Sequence, residues 1–405
     1  MTPFNRRHFL KYSALTGLGL SSISLFSGCS AKKKSGFKIG FLTPKTGADA
    51  ESGTSCERGA RIAKDFLKSL NVDLEVVIVD TESNPEVARL KAEKLINDGV
   101  HCLIGAYNSA ATATIAQVAE QHKIPFIINM AAADTLTEQG HKYLFRNFPT
   151  SKMLADNSIS GMKKLFSENK FTPKTGTLIV LNDAYGQTML DAFKVAQSQQ
   201  RIPFKLQEVI QFDTKAKDLS TEVSKIKSAN SDILMIVSRI NSTNLIMREL
   251  IRQNHSPKAI ISPGGQGFYE GQFLKNFKEK SDSLYTVNAW FDPISSLTQR
   301  AVSIFHKYYP EKLFEMNVAF SLEAIYLATM AYKQAQSNHA EKLQTALQNL
   351  SLPEGIIYGG NIEFDSKGQR TNIASVALMN KEGVPRVVSP KGLHETQAIF
   401  PFPGF

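Results

Sequence analysis

The tetrapeptide Ala106-Tyr107-Asn108-Ser109 follows a short apolar run and opens a helix-like segment. A helix start presents backbone N–H groups without intrahelical acceptors and the positive end of the helix dipole, so Ser109 can help hold a carboxylate. A serine there also caps the helix, and the two roles are compatible. Four further loops offer comparable positions. Asn129 to Asp134 contains Ala131, Ala132 and Ala133, whose small side chains leave room for a ligand or for close packing. Asn182 to Gly186 sets Tyr185 at a helix start. Ser238-Arg239-Ile240 offers a guanidinium, and Pro263 to Gly267 offers the amide of Gln266. Catalytic and metal chemistry is not signalled. The eight histidines are scattered, and no two sit at metal-ligand helical spacing. No Gly-x-Ser-x-Gly elbow occurs, and the GGQG run lacks the Lys and Ser/Thr of a phosphate loop. Acid pairs such as Asp49 and Glu51 read as solvated loop residues. The expectation is a binder rather than an enzyme, with no cofactor and no metal.

These loops need a scaffold, and the pattern of the chain supplies one. "FKIGFLTP" reads as a buried strand, and "CERGARIAKDFLKSL" as a helix from its apolar spacing. "LEVVIVD" is a strand; "NPEVARLKAEKLINDG" is a helix with Asn84 as cap, Pro85 in first position and Gly99 at its close. "HCLIG", "SAATATIAQVAEQH" and "IPFIIN" continue the alternation. It restarts with "TGTLIVLND", "YGQTMLDAFKVAQSQ", "DLSTEVSKIKSAN", "DILMIVS", "STNLIMRELIRQN" and "KAIISP". Such alternation predicts parallel sheets with helices on both faces, and ligands in these folds bind beyond the carboxyl ends of the strands. "RNFPTSK" reads as a turn-like join between the halves. Two long helices follow Tyr285, and an antiparallel tail closes the chain. The fold class expected is α/β with two doubly wound lobes joined by a multi-strand hinge. The first lobe takes 37–148 plus about 286–352; the second takes 149–285 plus about 353–405. Trp290, the only tryptophan, lies at the crossover, where it packs in the hinge or lines the cleft.

The first 29 residues carry a different signal. Arg6-Arg7 precedes a fifteen-residue apolar stretch, Tyr12 to Phe26, interrupted by Ser and Gly. A membrane-spanning helix needs roughly 20 apolar residues. The segment therefore reads as an export signal of twin-arginine type. Phe26-Ser27-Gly28-Cys29 resembles a bacterial lipoprotein box, with Phe26 where Leu is usual, and would make Cys29 the lipid-bearing residue. The plainer alternative is an ordinary signal peptide. Residues 30–36 read as a solvated tether. Removal of residues 1–28 takes away Arg6, Arg7 and Lys11 and no acid, reducing the formal charge from +10 to +7. No arginine-rich run with interleaved aromatics suggests a nucleic-acid surface. Cys56 and Cys102 either pair in an oxidising compartment or stay as buried thiols.

Taken in order, "FLTPKTGADAESGTSCERGARIA", "IGAYNSAATATIAQVAEQHKIPFI", "YLFRNFPTS", "NDAYGQT" and "FDSKGQ" resemble the leucine/isoleucine/valine-type periplasmic binding proteins, the type I solute-binding components of ABC importers. The resemblance covers nearly all of Phe37 to Pro390. It implies an extracytoplasmic monomer that captures a small carboxylate-bearing solute, an amino acid or related organic acid, between closing lobes for an ABC permease. It implies that Ser109 contacts the ligand carboxylate, that Tyr185 covers the ligand, and that Ser52 and Tyr107 belong to the pocket. Three positions depart from the amino-acid-binding pattern. The loop that often carries a Thr holds Ala131–Ala133. The acid that pairs with the ligand ammonium aligns near Gly264, where Gln266 can act as a neutral substitute. The second Tyr aligns near Arg239, which offers a fork to a carboxylate, points to solvent, or pairs with an acid such as Glu249. An anionic solute without an amine is therefore one expectation. A rival is a ligand-sensing lipoprotein of the same fold that signals through a partner.

Overall fold

The computed structural model describes residues 36–265 and 267–405. The stretch on which an export signal, lipid attachment at Cys29 and most of the tether are expected, and Gln266, lie outside them. The first run of elements is β1 Phe37–Thr43, α1 Ala50–Phe66, β2 Leu74–Asp80, α2 Pro85–Asn97, β3 Cys102–Gly105, α3 Ser109–Gln121, β4 Phe126–Ile128 and β5 Leu144–Arg146. The second is α4 Ser151–Glu168, β6 Thr175–Leu181, α5 Ala184–Ser198, β7 Lys205–Phe212, α6 Ser220–Ala229, β8 Ile233–Val237, α7 Ile240–Arg252, β9 Ala259–Pro263, α8 Gly271–Phe277 and β10 Tyr285–Ala289. Then come α9 Ser296–Tyr308, α10 Met316–Ala335, α11 Ala340–Gln348, β11 Ser375–Lys381 and β12 Val384–Ser389.

Five strands form a parallel sheet in the order β2-β1-β3-β4-β5. Strand pleating sends alternate side chains to opposite faces. Phe37, Ile39 and Phe41 of β1 accordingly enter the core formed with α1 and α10, whereas Leu42 enters the core formed with α2 and α3. The second sheet runs β12-β11-β10-β9-β8-β6-β7, parallel from β7 to β10 and antiparallel at β11 and β12. Its core joins α4–α7 to both sheet faces. The two lobes expected from the alternation are thus present.

Three crossings join them. The first is Asn147–Thr150, between β5 and α4. The second follows β10; the return expected at about 286 falls inside that strand, which the second sheet holds. The third is the segment from Ile356 to Ala374, whose Ile356, Ile357, Ile362, Phe364 and Ile373 pack with the first lobe before β11 joins the second sheet. The second and third are laced together by Tyr358 N–H to Trp290 O and Asp292 N–H to Ile356 O. Trp290 is buried here against Tyr269 and Phe291, so it packs in the hinge rather than the cleft wall.

Several elements differ from expectation. α1 begins at Ala50, well before Cys56, because "AESGTS" is small and polar and gives no apolar period. Its first turns are held instead against the end of β1: a Cβ at Gly53 would lie 1.8 Å from the Pro44 carbonyl oxygen, and Thr43 Oγ1 donates to the Gly53 carbonyl at 2.8 Å. β5, α4, β7, α8 and α11 were not signalled. β7 is the sheet edge, half of its residues exposed and polar and only Ile210 and Phe212 buried, which hides it as a polar run. Cys56 and Cys102 are free thiols, both buried. Burial pushes the Cys56 thiol up to about 12. No described helix is long and apolar enough to cross a membrane.

Candidate functional site

A cavity of about 650 Å³ lies between the lobes, within the size range of small-molecule sites. Its first-lobe wall comes from the carboxyl ends of β2, β3 and β4: Ser83, Tyr107–Ala110, Met130 and Ala132–Thr135, with Phe148 from the first crossing. Its second-lobe wall comes from the ends of β6, β8 and β9: Asp183–Tyr185, Arg239, Gly264 and Gly265, with Ser151 and Leu154 of α4. Loops at strand carboxyl ends therefore build both walls.

At α3, Asn108 is the cap, and its side chain accepts from Ala111 N–H. By helix geometry the N–H groups of Ser109 and Ala110 have no intrahelical acceptor. Ser109 Oγ accepts from Ala133 N–H at 3.3 Å, tying the α3 start to the alanine loop. That loop is held from beneath. Arg146, buried, donates to the Ala133 carbonyl at 2.7 Å and to Gln369 and Thr137. Ser151 donates to the Ala132 carbonyl at 3.0 Å from the start of α4. In the opposite wall, Tyr185 donates its phenol to the Gly264 carbonyl at 2.7 Å, and burial raises its pKa. Gly264 has φ +68, and a Cβ there would meet Tyr185 Oη at 3.1 Å. A larger residue there is disfavoured on both counts, by backbone strain and by crowding of Tyr185.

Tyr107, Ser109, Ala132, Ala133, Tyr185 and Arg239 thus share one cavity. Ala131 does not: it is 1 % exposed and packs into the α2–α3 core. Ser52 lies off the main cavity, in the first turn of α1, lining an adjoining chamber of about 150 Å³. Gln266 is outside the described residues. Arg239 is no free fork. Its Nη1 donates to Asp183 Oδ2 at 2.6 Å, and its side chain is 56 % exposed. Glu249 pairs with Arg252 instead.

Asp183 was missed as a site residue, although a cap-type Asp just before Tyr185 marks it in the sequence; it caps α5 by accepting from Gly186 N–H. Asp49, expected as a solvated loop residue, instead lines the cavity and accepts from Asn108 Nδ2 at 3.0 Å. With Asp134, the wall carries three carboxylates against one guanidinium. Among the described residues no group of three or more His, Cys, Asp or Glu side chains is placed to hold a metal ion.

Comparison with known proteins agrees with this architecture. The sequence model of the family described as "Periplasmic binding protein" matches residues 36–383. Leu/Ile/Val-binding protein homolog 8 of Brucella abortus (strain 2308) is 25 % identical over 403 residues, covering 94 % of this chain and 96 % of its own. The branched-chain amino acid transporter substrate binding protein LivJ of Streptococcus pneumoniae, solved in complex with isoleucine, superposes with a TM-score of 0.75 at 20 % identity, over 88 % of this chain and 100 % of that one. A solute binding protein of an ABC transporter from Rhodopseudomonas palustris BisB5, solved with 3,4-dihydroxy benzoic acid, gives 0.69 at 19 % identity, over 87 % and 96 %. With a family match spanning both lobes and the cleft between them, this chain belongs to the periplasmic binding protein family.

Proposed function

We propose that this protein is the extracytoplasmic solute-binding component of an ABC importer, and that it captures a small carboxylate-bearing organic solute between its lobes. The observation that carries this reading is the cavity itself. One wall presents the start of α3 with Ser109, and the other presents Tyr185 on a separately folded sheet. A solute contacting both walls favours the closed arrangement and so shifts the lobes toward it. Closed lobes then offer the permease a surface that open lobes do not. The relatives support the carboxylate: isoleucine and dihydroxybenzoic acid, bound in two proteins of this fold, share that group and little else. The site binds its solute and returns it unchanged, acting as a monomer. Residues 1–29 export the chain, and Cys29 carries the lipid that tethers it through residues 30–36.

The test is a thermal-shift screen of the full-length chain against branched-chain amino acids and benzoate-type acids. A ligand that binds only the folded state raises the melting point by mass action. At least one carboxylate compound should do so, and Ser109→Ala should weaken its binding roughly 10- to 100-fold, as expected for loss of a hydrogen bond to a charged group. If no carboxylate shifts the melting point, the reading fails.

A further inference from the structure

The main cavity does not end at Tyr107. The adjoining chamber of about 150 Å³ shares Asp49, Tyr107 and Arg239 with it, and Glu51, Ser52 and Glu270 form the rest of its acidic wall. Glu270 stands just before α8 in the second lobe and is 5 % exposed. Ser52 Oγ, from the first lobe, donates to Glu270 Oε1 at 3.4 Å. Glu270 Oε2 is buried with no hydrogen-bond partner. A buried carboxylate oxygen left unmatched is strongly unfavourable, and folds rarely keep one without a use. Its neighbours do not relieve it. Glu315 and Glu51 repel its charge, and Tyr107 and Tyr269 carry none. Arg58, Lys275 and Lys312 line a neighbouring pocket that also borders Glu270, yet none of them forms an ion pair or hydrogen bond with Glu270 Oε2 among the described residues. Arg239, the one cation of the chamber wall, is already held by Asp183.

We infer that the solute carries a cationic nitrogen, an ammonium or guanidinium, which passes Tyr107 into this chamber and pairs with Glu270 while the carboxylate stays at Ser109. The inference rests on the reading of the main cavity as the solute site and narrows its substrate class to solutes bearing both charges. The volume sets a limit: at about 30 Å³ for a water's share of space, the chamber holds roughly five non-hydrogen atoms, enough for an ammonium on a short methylene stem. Charge sets the sign. An entering cation finds Asp49, Glu51 and Glu270 ahead of it and only a neutralised guanidinium beside it. In the empty chamber, burial and the facing carboxyls of Glu315 and Glu51 hold Glu270 protonated far above the usual carboxylate range. A cation reverses that balance, so the amine-bearing solute displaces a proton and a plain acid does not.

The experiment uses the full-length chain and matched pairs: 4-aminobutyrate with butyrate, 5-aminovalerate with valerate, 6-aminohexanoate with hexanoate, and lysine with norleucine. Calorimetry in two buffers of different ionisation enthalpy reads affinity and proton release together. At least one amine-bearing member should bind about tenfold or more tightly than its partner and release a proton, because a buried charge pair lost on one side is worth at least that much. Glu270→Gln should bring the two to within about twofold and abolish the release. Should that variant not fold, the wild-type pairs and their proton count still decide. Equal binding throughout, or a preference that survives in Glu270→Gln, overturns the inference. If branched-chain amino acids bind while the pairs show no preference, this inference alone fails. If no carboxylate binds at all, the importer reading falls with it.

Discussion

Arg239 and Asp183 meet across 56 positions of sequence, and their pairing changes what the second wall offers a ligand. An unpaired guanidinium would favour an amine-free anion; a paired one gives little net charge. Asp183→Asn tests this cleanly, because Asn caps helices as well as Asp and α5 keeps its start. Arg239 then faces the cavity without its carboxylate. Affinity for simple carboxylates should rise, by no more than about fivefold, since a half-exposed ion pair is worth up to roughly 1 kcal/mol. Competition binding with benzoate reads the change, and an unaltered affinity would show that the guanidinium does not address the ligand. Glu270 makes a second claim at this scale. Burial, then Glu315 and Glu51, raise its pKa in the folded chain. A raised carboxyl pKa means stability that is complete below the unfolded value, about 4.3, and lost as pH climbs toward the folded one. Without ligand, Glu270→Gln should therefore gain stability over wild type as pH rises from about 4 to 7, and the two should converge at lower pH. Melting points across that range decide it; parallel curves would mean that Glu270 is hydrated and ordinary. Glu315, raised by the same burial, keeps part of the slope in both proteins.

Elements show where the sequence was legible. The apolar runs of β1, β3, β6 and β8 are buried on both faces, so each announces itself without a partner. Asn84 and Pro85 mark α2 by local chemistry, and Asn84 does accept from Glu86 and Val87 N–H. Loop positions followed from those strands, which is why Tyr107, Ser109, Tyr185 and Arg239 were found together. What failed was non-local. α1 starts where Gly53 packs against the end of β1, not where its own apolar spacing begins. Ala131 could be told from Ala132 only by the turn that sends its methyl into the core. Asp183 gains its meaning from Arg239, 56 positions away in the same wall, and Glu270 from Ser52 across the cleft. Gly264 is the reverse case, a loop residue whose type encodes geometry. At φ +68, Gly264→Ala incurs left-handed strain of about 1 kcal/mol and brings a methyl 3.1 Å from Tyr185 Oη. The hydrogen bond from Tyr185 to the Gly264 carbonyl should loosen with it. The expected result is a stability loss of about 1–2 kcal/mol together with weaker ligand binding. Stability loss with ligand affinity intact would separate the turn from the site.

For the whole molecule, closure requires crossings that bend without dissolving, and the buried ion pair beside them supplies the fixed point. Glu323 of α10 and Arg370 of the third crossing are both fully buried and hydrogen-bonded. Arg370 also donates to Asn147 in the first crossing at 2.9 Å, and Asn147 donates to Glu323 at 3.2 Å. Glu323 Oε2 accepts from the N–H groups of Ile356 and Ile357, at 2.5 and 2.9 Å. One carboxylate therefore serves two crossings at once. Removing one partner of a buried pair leaves an uncompensated charge, so Glu323→Leu and Arg370→Met should each lose about 3–5 kcal/mol. In many proteins the double replacement recovers that loss. Here it should recover only part, because two backbone N–H groups and Asn147 lose their acceptor, and an unmatched buried polar group is worth about 1–3 kcal/mol. Denaturant midpoints of the three variants measure this directly. A double variant as stable as wild type would mean that the crossings do not depend on the carboxylate. One less stable than wild type, yet more stable than either single variant, would mean that Glu323 holds backbone as well as charge. In that case the lobes swing about a point fixed by hydrogen bonds to the chain itself.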